Sequence, residues 1–120
     1  METPLPLVRA KVTLLPELAS LRRIAGRQYR PHIVLGPITQ RQAVIATGNV
    51  FVEPYLGVCF WSGPEVLLPG EPATVLLALA YFLDAPEQYT GVTAGATFTI
   101  REGATIVGYG EVQERDEHVT

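Results

Sequence analysis

The sequence predicts an antiparallel all-β domain. Short runs with strand-like alternation follow one another along the 120 residues, and glycine or proline separates them. No long helical pattern interrupts the series. Apolar residues make up 48% of the chain and charged residues 18%, which is typical of a folded domain rather than a disordered one. We therefore expect a single domain over residues 1–120, although this pattern alone does not separate a barrel from a sandwich.

The first strand is predicted at residues 8–15, where alternate side chains are apolar. Pro16 ends this strand, because proline cannot donate a hydrogen bond to a strand ladder. Residues 16–26 have weak helical spacing and finish at Gly26. That segment is predicted to be either one or two turns of helix or an ordered loop.

The middle of the chain contains several short strand candidates bounded by turn residues. They are residues 29–35, 41–46, 50–52 and 55–61, with a turn predicted at 47–49. Pro69-Gly70 suits the two central positions of a type II turn, because glycine tolerates the positive φ that the second one requires. Residues 73–83 are rich in alanine and leucine and suit a buried helix as well as a buried strand.

The last part of the sequence predicts a hairpin followed by a tail. Polar and apolar residues alternate over 97–101, residues 102–104 form the turn, and 105–112 return as the second strand. Residues 113–120 are mostly charged or polar and are expected to form a polar tail. The core is therefore expected within residues 8–112.

The segment 96–112 reads ATFTIREGATIVGYGEV and resembles the last hairpin of translation elongation factor Tu, whose family reads approximately FAIREGGRTVGAGVV. Two further stretches resemble the third domain of that factor in the same order along the chain. They are GR at 26–27 followed by YRP at 29–31, and VLLPGE at 66–71. Together, the resemblance covers residues 8–112.

This resemblance implies a six-stranded antiparallel closed β-barrel in which residues 73–83 are a strand. It also implies an inserted loop or hairpin near 37–54, where the chain is longer than the family pattern. In the family, this barrel helps cradle the T-stem of aminoacyl-tRNA, packs on the GTPase domain and contacts the nucleotide exchange factor. The T-stem contacts would fall on His32, where the family has Gln, and on Glu102, which is retained.

Charge is distributed unevenly along the chain. Residues 1–50 carry a net charge of +5 and residues 51–120 carry −8, within a total of −3. The asymmetry predicts a basic region that steers a charged macromolecular partner, unless the fold brings the two halves together and neutralises them. The candidate macromolecule-binding residues are Arg22, Arg23, Arg27, Arg30, His32, Arg41, Arg101 and Glu102. Guanidinium forks such as those of Arg30 and Arg101 suit phosphate or carboxylate, and their alternative role is an internal salt bridge.

The sequence contains no motif for catalysis, metals or cofactors. Lys11 is the only lysine and lies outside any phosphate-binding glycine motif, and neither serine lies in a nucleophile elbow. His32 and His118 are far apart in the sequence and match no metal-ligand spacing. We therefore expect no enzyme activity, no cofactor, no metal and no bound nucleotide. The single Cys59 is expected to pack as a small apolar side chain.

The N-terminus shows no signal-peptide pattern, and the longest apolar run, residues 73–83, is too short for a membrane-spanning helix. We therefore expect a cytoplasmic protein with no membrane partner. The predicted function is a non-catalytic macromolecule-binding module that resembles the elongation factor Tu barrel without its GTPase domain. It binds a protein or mimics the factor, for instance in immunity. The alternatives are a translation-associated protein that binds tRNA or other RNA, and a structural remnant that only forms a homodimer.

Overall fold

The computed structural model describes residues 5–46 and 50–116. Within these ranges the chain forms strands and a short 3-10 helix at Pro86–Tyr89. The strands are β1 (Leu7–Leu14), β2 (Arg22–Arg23), β3 (His32–Leu35), β4 (Ile45–Ala46), β5 (Val50–Phe51), β6 (Leu56–Ser62), β7 (Val66–Leu67), β8 (Ala73–Leu79), β9 (Thr97–Glu102) and β10 (Thr105–Asp116). In the same two ranges, no helix has the length and apolar character needed to cross a membrane.

Six strands close into a barrel in the order β1-β10-β9-β3-β6-β8, and β8 pairs with β1 to complete it. All of these neighbouring pairs are antiparallel. The prediction of a six-stranded antiparallel closed β-barrel is therefore confirmed. Closure gives every barrel strand a hydrogen-bonded neighbour on both sides, so these strands present no open edge.

Side-chain alternation along the strands fills the interior of the barrel. In β1, alternate residues from Val8 to Leu14 are buried, whereas Arg9 and Lys11 between them are exposed. Phe98 of β9 is also buried in the core cluster. Full burial of an aliphatic or aromatic side chain of this size contributes about 1.5–3 kcal/mol. The free Cys59 is buried in β6, as the sequence predicts.

Two segments that the sequence leaves ambiguous are defined by the structure. Residues 73–83 include a strand, β8, after which the chain turns where the Phe82 amide donates to the Leu79 carbonyl at 3.2 Å. Residues 16–26 contain turns and β2, which pairs with β7, and no helix. The ordered-loop alternative is therefore the correct one for that segment.

The turn at Pro69-Gly70 is confirmed. The Glu71 amide donates to the Leu68 carbonyl at 3.1 Å and closes a four-residue turn. Gly70 has a φ of 82°, the positive value that the third position of a type II turn requires. The chain then enters β8.

The predicted polar tail at 113–120 is wrong over its first half. Strand β10 continues to Asp116 and pairs with β1 along this length, with Leu7 opposite Asp116. The Arg115 guanidinium also donates to the Tyr89 carbonyl at 2.5 Å and to the Val92 carbonyl at 3.2 Å. A polar sequence forms a strand here because β1 pairs with it on both sides of an irregularity between Arg9 and Ala10, so tertiary context decides the outcome. Residues 117–120 lie outside the described residues.

The long connection between β3 and β6 contains a two-stranded pair. Strands β4 and β5 pair antiparallel, with Ile45 opposite Phe51 and Ala46 opposite Val50. The turn predicted at 47–49 lies outside the described residues. That residues 37–54 form an insertion relative to a known family stays a prediction.

Candidate binding surfaces

Arg101 is the most deeply buried of the predicted binding residues. Its side chain is 0% exposed although it lies on the outer side of β9, between the inward-facing Ile100 and the end of the strand. Its Nε donates to Thr99 Oγ1 at 2.8 Å. Its Nη1 donates to Glu53 Oε1 at 2.9 Å and to the Tyr55 hydroxyl at 3.0 Å, and Nη2 donates to Glu53 Oε2 at 3.2 Å. The internal salt bridge is therefore the role that this position supports.

Glu53 connects the segment 37–54 to the barrel wall. Besides Arg101, it accepts hydrogen bonds from Gln40 Nε2 and from the Val44 amide, each at 2.8 Å. The hydrogen bonds from Arg101 lower the pKa of Glu53 from 4.5 to about 2, and those from Gln40 and Val44 act in the same direction. A single carboxylate thus fixes two points of the segment against β9.

The same anchored segment exposes a group of apolar side chains, which we name the loop surface. Its members are between 39% and 55% exposed: Ile38, Val44, Ile45 and Val52. Arg41 follows Ile38 by three residues and donates from Nη1 to the Ile38 carbonyl at 2.6 Å. Four exposed apolar side chains within one segment of 18 residues are more than the scattered single ones that need no explanation, and contiguous exposed apolar surface is typical of interaction sites.

Glu102, the neighbour of Arg101 on β9, also has internal partners. Arg22 binds it in a bidentate manner, with Nε to Oε2 at 2.6 Å and Nη2 to Oε1 at 3.0 Å. The Tyr29 hydroxyl donates to Glu102 Oε2 at 2.6 Å. The hydrogen bond from Arg22 is the main cause that lowers the pKa of Glu102. This carboxylate therefore holds both ends of the stretch 22–29.

Arg27 and Arg23 lie in that stretch but in different environments. Arg27 adopts a φ of 57°, which is uncommon for a residue with a side chain. Its guanidinium carbon lies 3.7 Å from the centroid of the Trp61 ring, and its Nε donates to the Trp61 carbonyl at 3.0 Å. These contacts offset the backbone strain. Arg23 is exposed on β2, opposite Val66 of β7.

Arg30 and His32 come together at a small cleft. The cleft has a volume of about 100 Å³ and is also lined by Tyr81, whose side chain is exposed. The His32 ring centroid lies 5.9 Å from that of Tyr55. Of the predicted binding residues, this pair offers a cation next to an exposed aromatic ring, an arrangement suited to stacking a planar group.

Sequence reasoning misses Glu53 and Tyr29, which organise these contacts. Glu53 did carry a signal, because it is the only acidic residue between Glu17 and Glu65. That interval contains five arginines, so an isolated carboxylate within it is a natural internal partner for a cation. Tyr29 carried no comparable signal.

Comparison with protein-family models and with curated proteins gives no match. The resemblance to the elongation factor Tu barrel therefore stays a prediction that rests on the three sequence motifs. The closed barrel and the contacts above are the observations from which function is argued below.

Proposed function

We propose that this protein is a non-catalytic protein-binding module that contacts its partner through the loop surface. The observation that carries the proposal is that one segment combines exposed apolar side chains with a buried ion pair to the barrel. Glu53 and Arg101 fix the segment 37–54 before any partner arrives. A preordered loop loses less conformational entropy on association than a mobile one, so more of its apolar contact area contributes to affinity.

The charges on the segment support a protein partner over a nucleic acid. Residues 37–54 contain two charged side chains, Arg41 and Glu53. The negative charge of Glu53 is neutralised by its ion pair with Arg101. Nucleic-acid binding draws its affinity from several cations that reach phosphates. Of the arginines that could supply them, Arg22 and Arg101 are paired with carboxylates.

RNA binding is a second candidate function, and the cleft beside Arg30 supports it. An exposed tyrosine next to arginine and histidine side chains can stack a base and contact its phosphate. No acidic residue lines this cleft among the described residues. RNA binding at this site depends on Arg30 and His32 and not on the loop surface, so the two candidates are separable by mutation.

The resemblance to elongation factor Tu adds a class of partner to the proposal. A barrel that resembles that factor would compete for proteins that dock on it, as an immunity protein does when it intercepts a toxin. In this form the module is a mimic of the factor and needs no catalytic residue. A cytoplasmic location belongs to the same proposal.

The test is capture from a cell lysate with the tagged protein, with and without ribonuclease. We compare the wild type with the double variant Val44→Ser/Val52→Ser, which removes apolar surface from exposed positions. Leu83→Ser is the matched control, because Leu83 is 66% exposed and lies outside the segment. We expect the wild type to capture a partner protein whether or not ribonuclease is added. The double variant should no longer capture this protein, and the control should still capture it.

Other outcomes would contradict the proposal. Recovery of RNA that disappears in Arg30→Ala/His32→Ala, with no protein dependent on Val44 and Val52, would favour RNA binding. If the captured protein is only a second copy of this chain, the homodimer is the correct alternative.

A further inference from the structure

A second cleft lies next to the loop surface, on the outer wall of the barrel. Its volume is about 270 Å³. Cross-strand pairing of Lys11 with Glu111 and of Thr13 with Tyr109 places these residues on neighbouring strands β1 and β10. Ile38 of the loop surface forms part of its lining. The cleft and the loop surface are therefore continuous through Ile38.

The size and lining of the cleft limit what it can hold. Its apolar lining comes from Ile38, Pro72 and the Tyr109 ring. Sites for drug-sized ligands and cofactors usually measure about 300–1,000 Å³, so this cleft is small for such a ligand. An apolar or aromatic side chain that projects from a partner is the better fit, because the walls offer mainly van der Waals contact.

A positive charge near the cleft favours a partner that carries an acidic group. The Arg41 guanidinium carbon lies 5.5 Å from the centroid of the Tyr109 ring. Its Nη1 donates to the carbonyls of Ile38 and Gln40, at 2.6 and 3.0 Å. Within residues 5–46 and 50–116, no hydrogen bond from its Nε or Nη2 is found. With respect to the described residues, the guanidinium is thus held in place by Nη1, and its Nε and Nη2 can donate to a carboxylate.

Lys11 and Glu111 line the cleft as one cation and one acid, so their charges balance. The charge preference at the cleft therefore comes from Arg41, which lies beside the Tyr109 ring. A partner with a carboxylate near its aromatic side chain would place that carboxylate close to Arg41.

We propose that this cleft seats an aromatic side chain from a segment of the partner protein, with an acidic residue beside it that pairs with Arg41. This inference rests on the proposed function, because it names the partner segment that the loop surface and its neighbouring cleft recognise. Tyr109 and Ile38 supply the contact with the ring, and Arg41 supplies the preference for acid.

The test is an NMR titration of the full chain with three blocked tripeptides: Asp-Phe-Asp, Lys-Phe-Lys and Asp-Ala-Asp. We expect Asp-Phe-Asp to shift the amide signals of Thr13, Ile38 and Tyr109, and to bind about fivefold more tightly than Lys-Phe-Lys, as one charge pair at a surface allows. Asp-Ala-Asp should bind too weakly to saturate. Equal affinity for the first two peptides would overturn the inference. So would signal shifts that leave Thr13, Ile38 and Tyr109 unaffected.

Two variants identify the residues responsible. Arg41→Gln should remove the preference for the acidic peptide, and Arg23→Gln, at another exposed arginine, should leave it unchanged. Tyr109→Ala should weaken Asp-Phe-Asp binding at least as much as Arg41→Gln. An acidic preference that survives Arg41→Gln would contradict the role of that residue.

The lysate experiment and the peptide titration test the proposed function and the inference about the cleft separately. If capture depends on Val44 and Val52 while the acidic aromatic peptide does not bind, the proposed function stands and the inference about the cleft is wrong. If the peptide binds as expected while no captured protein depends on the loop surface, the proposed function is wrong and the cleft still selects this chemistry.

Discussion

Two neighbouring residues of β9, Arg101 and Glu102, hold two different segments in two different environments. Arg101 is 0% exposed and its partner Glu53 is 13% exposed, so their ion pair is largely buried. Glu102 is 33% exposed and its partner Arg22 is 22% exposed, so this pair is partly solvated. A step of one residue along a strand thus separates a buried anchor from an accessible one.

The comparison shows that charged residues of a hairpin can form ion pairs within the protein. Arg101 and Glu102 are both charged, as residues on a protein surface usually are. Both nevertheless form ion pairs with residues from distant parts of the chain. Arg101 pairs with the segment that exposes the loop surface, whereas Glu102 pairs with the stretch 22–29. The more deeply buried ion pair therefore holds the segment that we propose binds a partner.

Breaking the buried pair should have the largest effect. Arg101→Met removes the cation and leaves Glu53 with an uncompensated charge under the loop, which we expect to cost about 3–5 kcal/mol of unfolding free energy. Urea denaturation gives this value. The double variant Arg101→Met/Glu53→Leu should lose less than Arg101→Met alone, because it leaves no unpaired charge. A loss no greater than that of Arg22→Met would show that the two pairs do not differ as described.

Acid should weaken the same anchor through Glu53. Its pKa is lowered from 4.5 to about 2 in the folded protein, so the stability it contributes is present above about pH 4.5 and is lost as the pH falls towards 2. The lowered pKa of Glu102 acts with the same sign. The effect should be smaller than that of Arg101→Met, since protonated Glu53 still forms hydrogen bonds.

Glu53→Gln serves as the control for this titration. Stability measured by urea unfolding at a series of pH values should fall less steeply below pH 4.5 in this variant than in the wild type. Equal slopes would show that Glu53 is not the group that titrates.

Breaking the partly solvated pair should have the smallest effect. Arg22→Met loses a bidentate contact with Glu102, but water can solvate the remaining carboxylate, and Tyr29 still donates to it. We expect a loss of about 1 kcal/mol. The matched substitution at Arg101 uses the same side-chain change, so the difference in unfolding free energy isolates burial. A loss at Arg22 that equals the loss at Arg101 would remove the distinction.

The residue pattern predicts the all-β class and individual strands well, the closed barrel only through the family resemblance, and the two ion pairs poorly. Strand alternation records which side chains face the core, so β1 and the final hairpin are recognisable from local pattern. What covers the outer side of β9 is decided by residues such as Glu53, which lie far away in the chain. The sequence around Arg101 does not indicate that distant residues bury its side chain. From sequence alone, this buried arginine is therefore indistinguishable from an exposed one.

The candidate site follows the same rule. Arg30 and His32 are close in sequence, and their shared cleft could be anticipated. The loop surface could not, because its exposure depends on how residues 37–54 lie on the barrel. Arg41 was predicted as a binding residue, and its position beside Tyr109 supplies a specific role for that prediction.

Amide hydrogen exchange tests the two-anchor account most directly. The Val44 amide is bonded to Glu53, and the Ile24 amide is bonded to the Glu65 carbonyl beside the stretch held by Glu102. Relative to the barrel amide of Val58, Arg101→Met should speed exchange at Val44, and Arg22→Met should speed it at Ile24 while leaving Val44 unchanged. Equal acceleration of both amides in either variant would contradict the claim that neighbouring residues of β9 hold two separate segments.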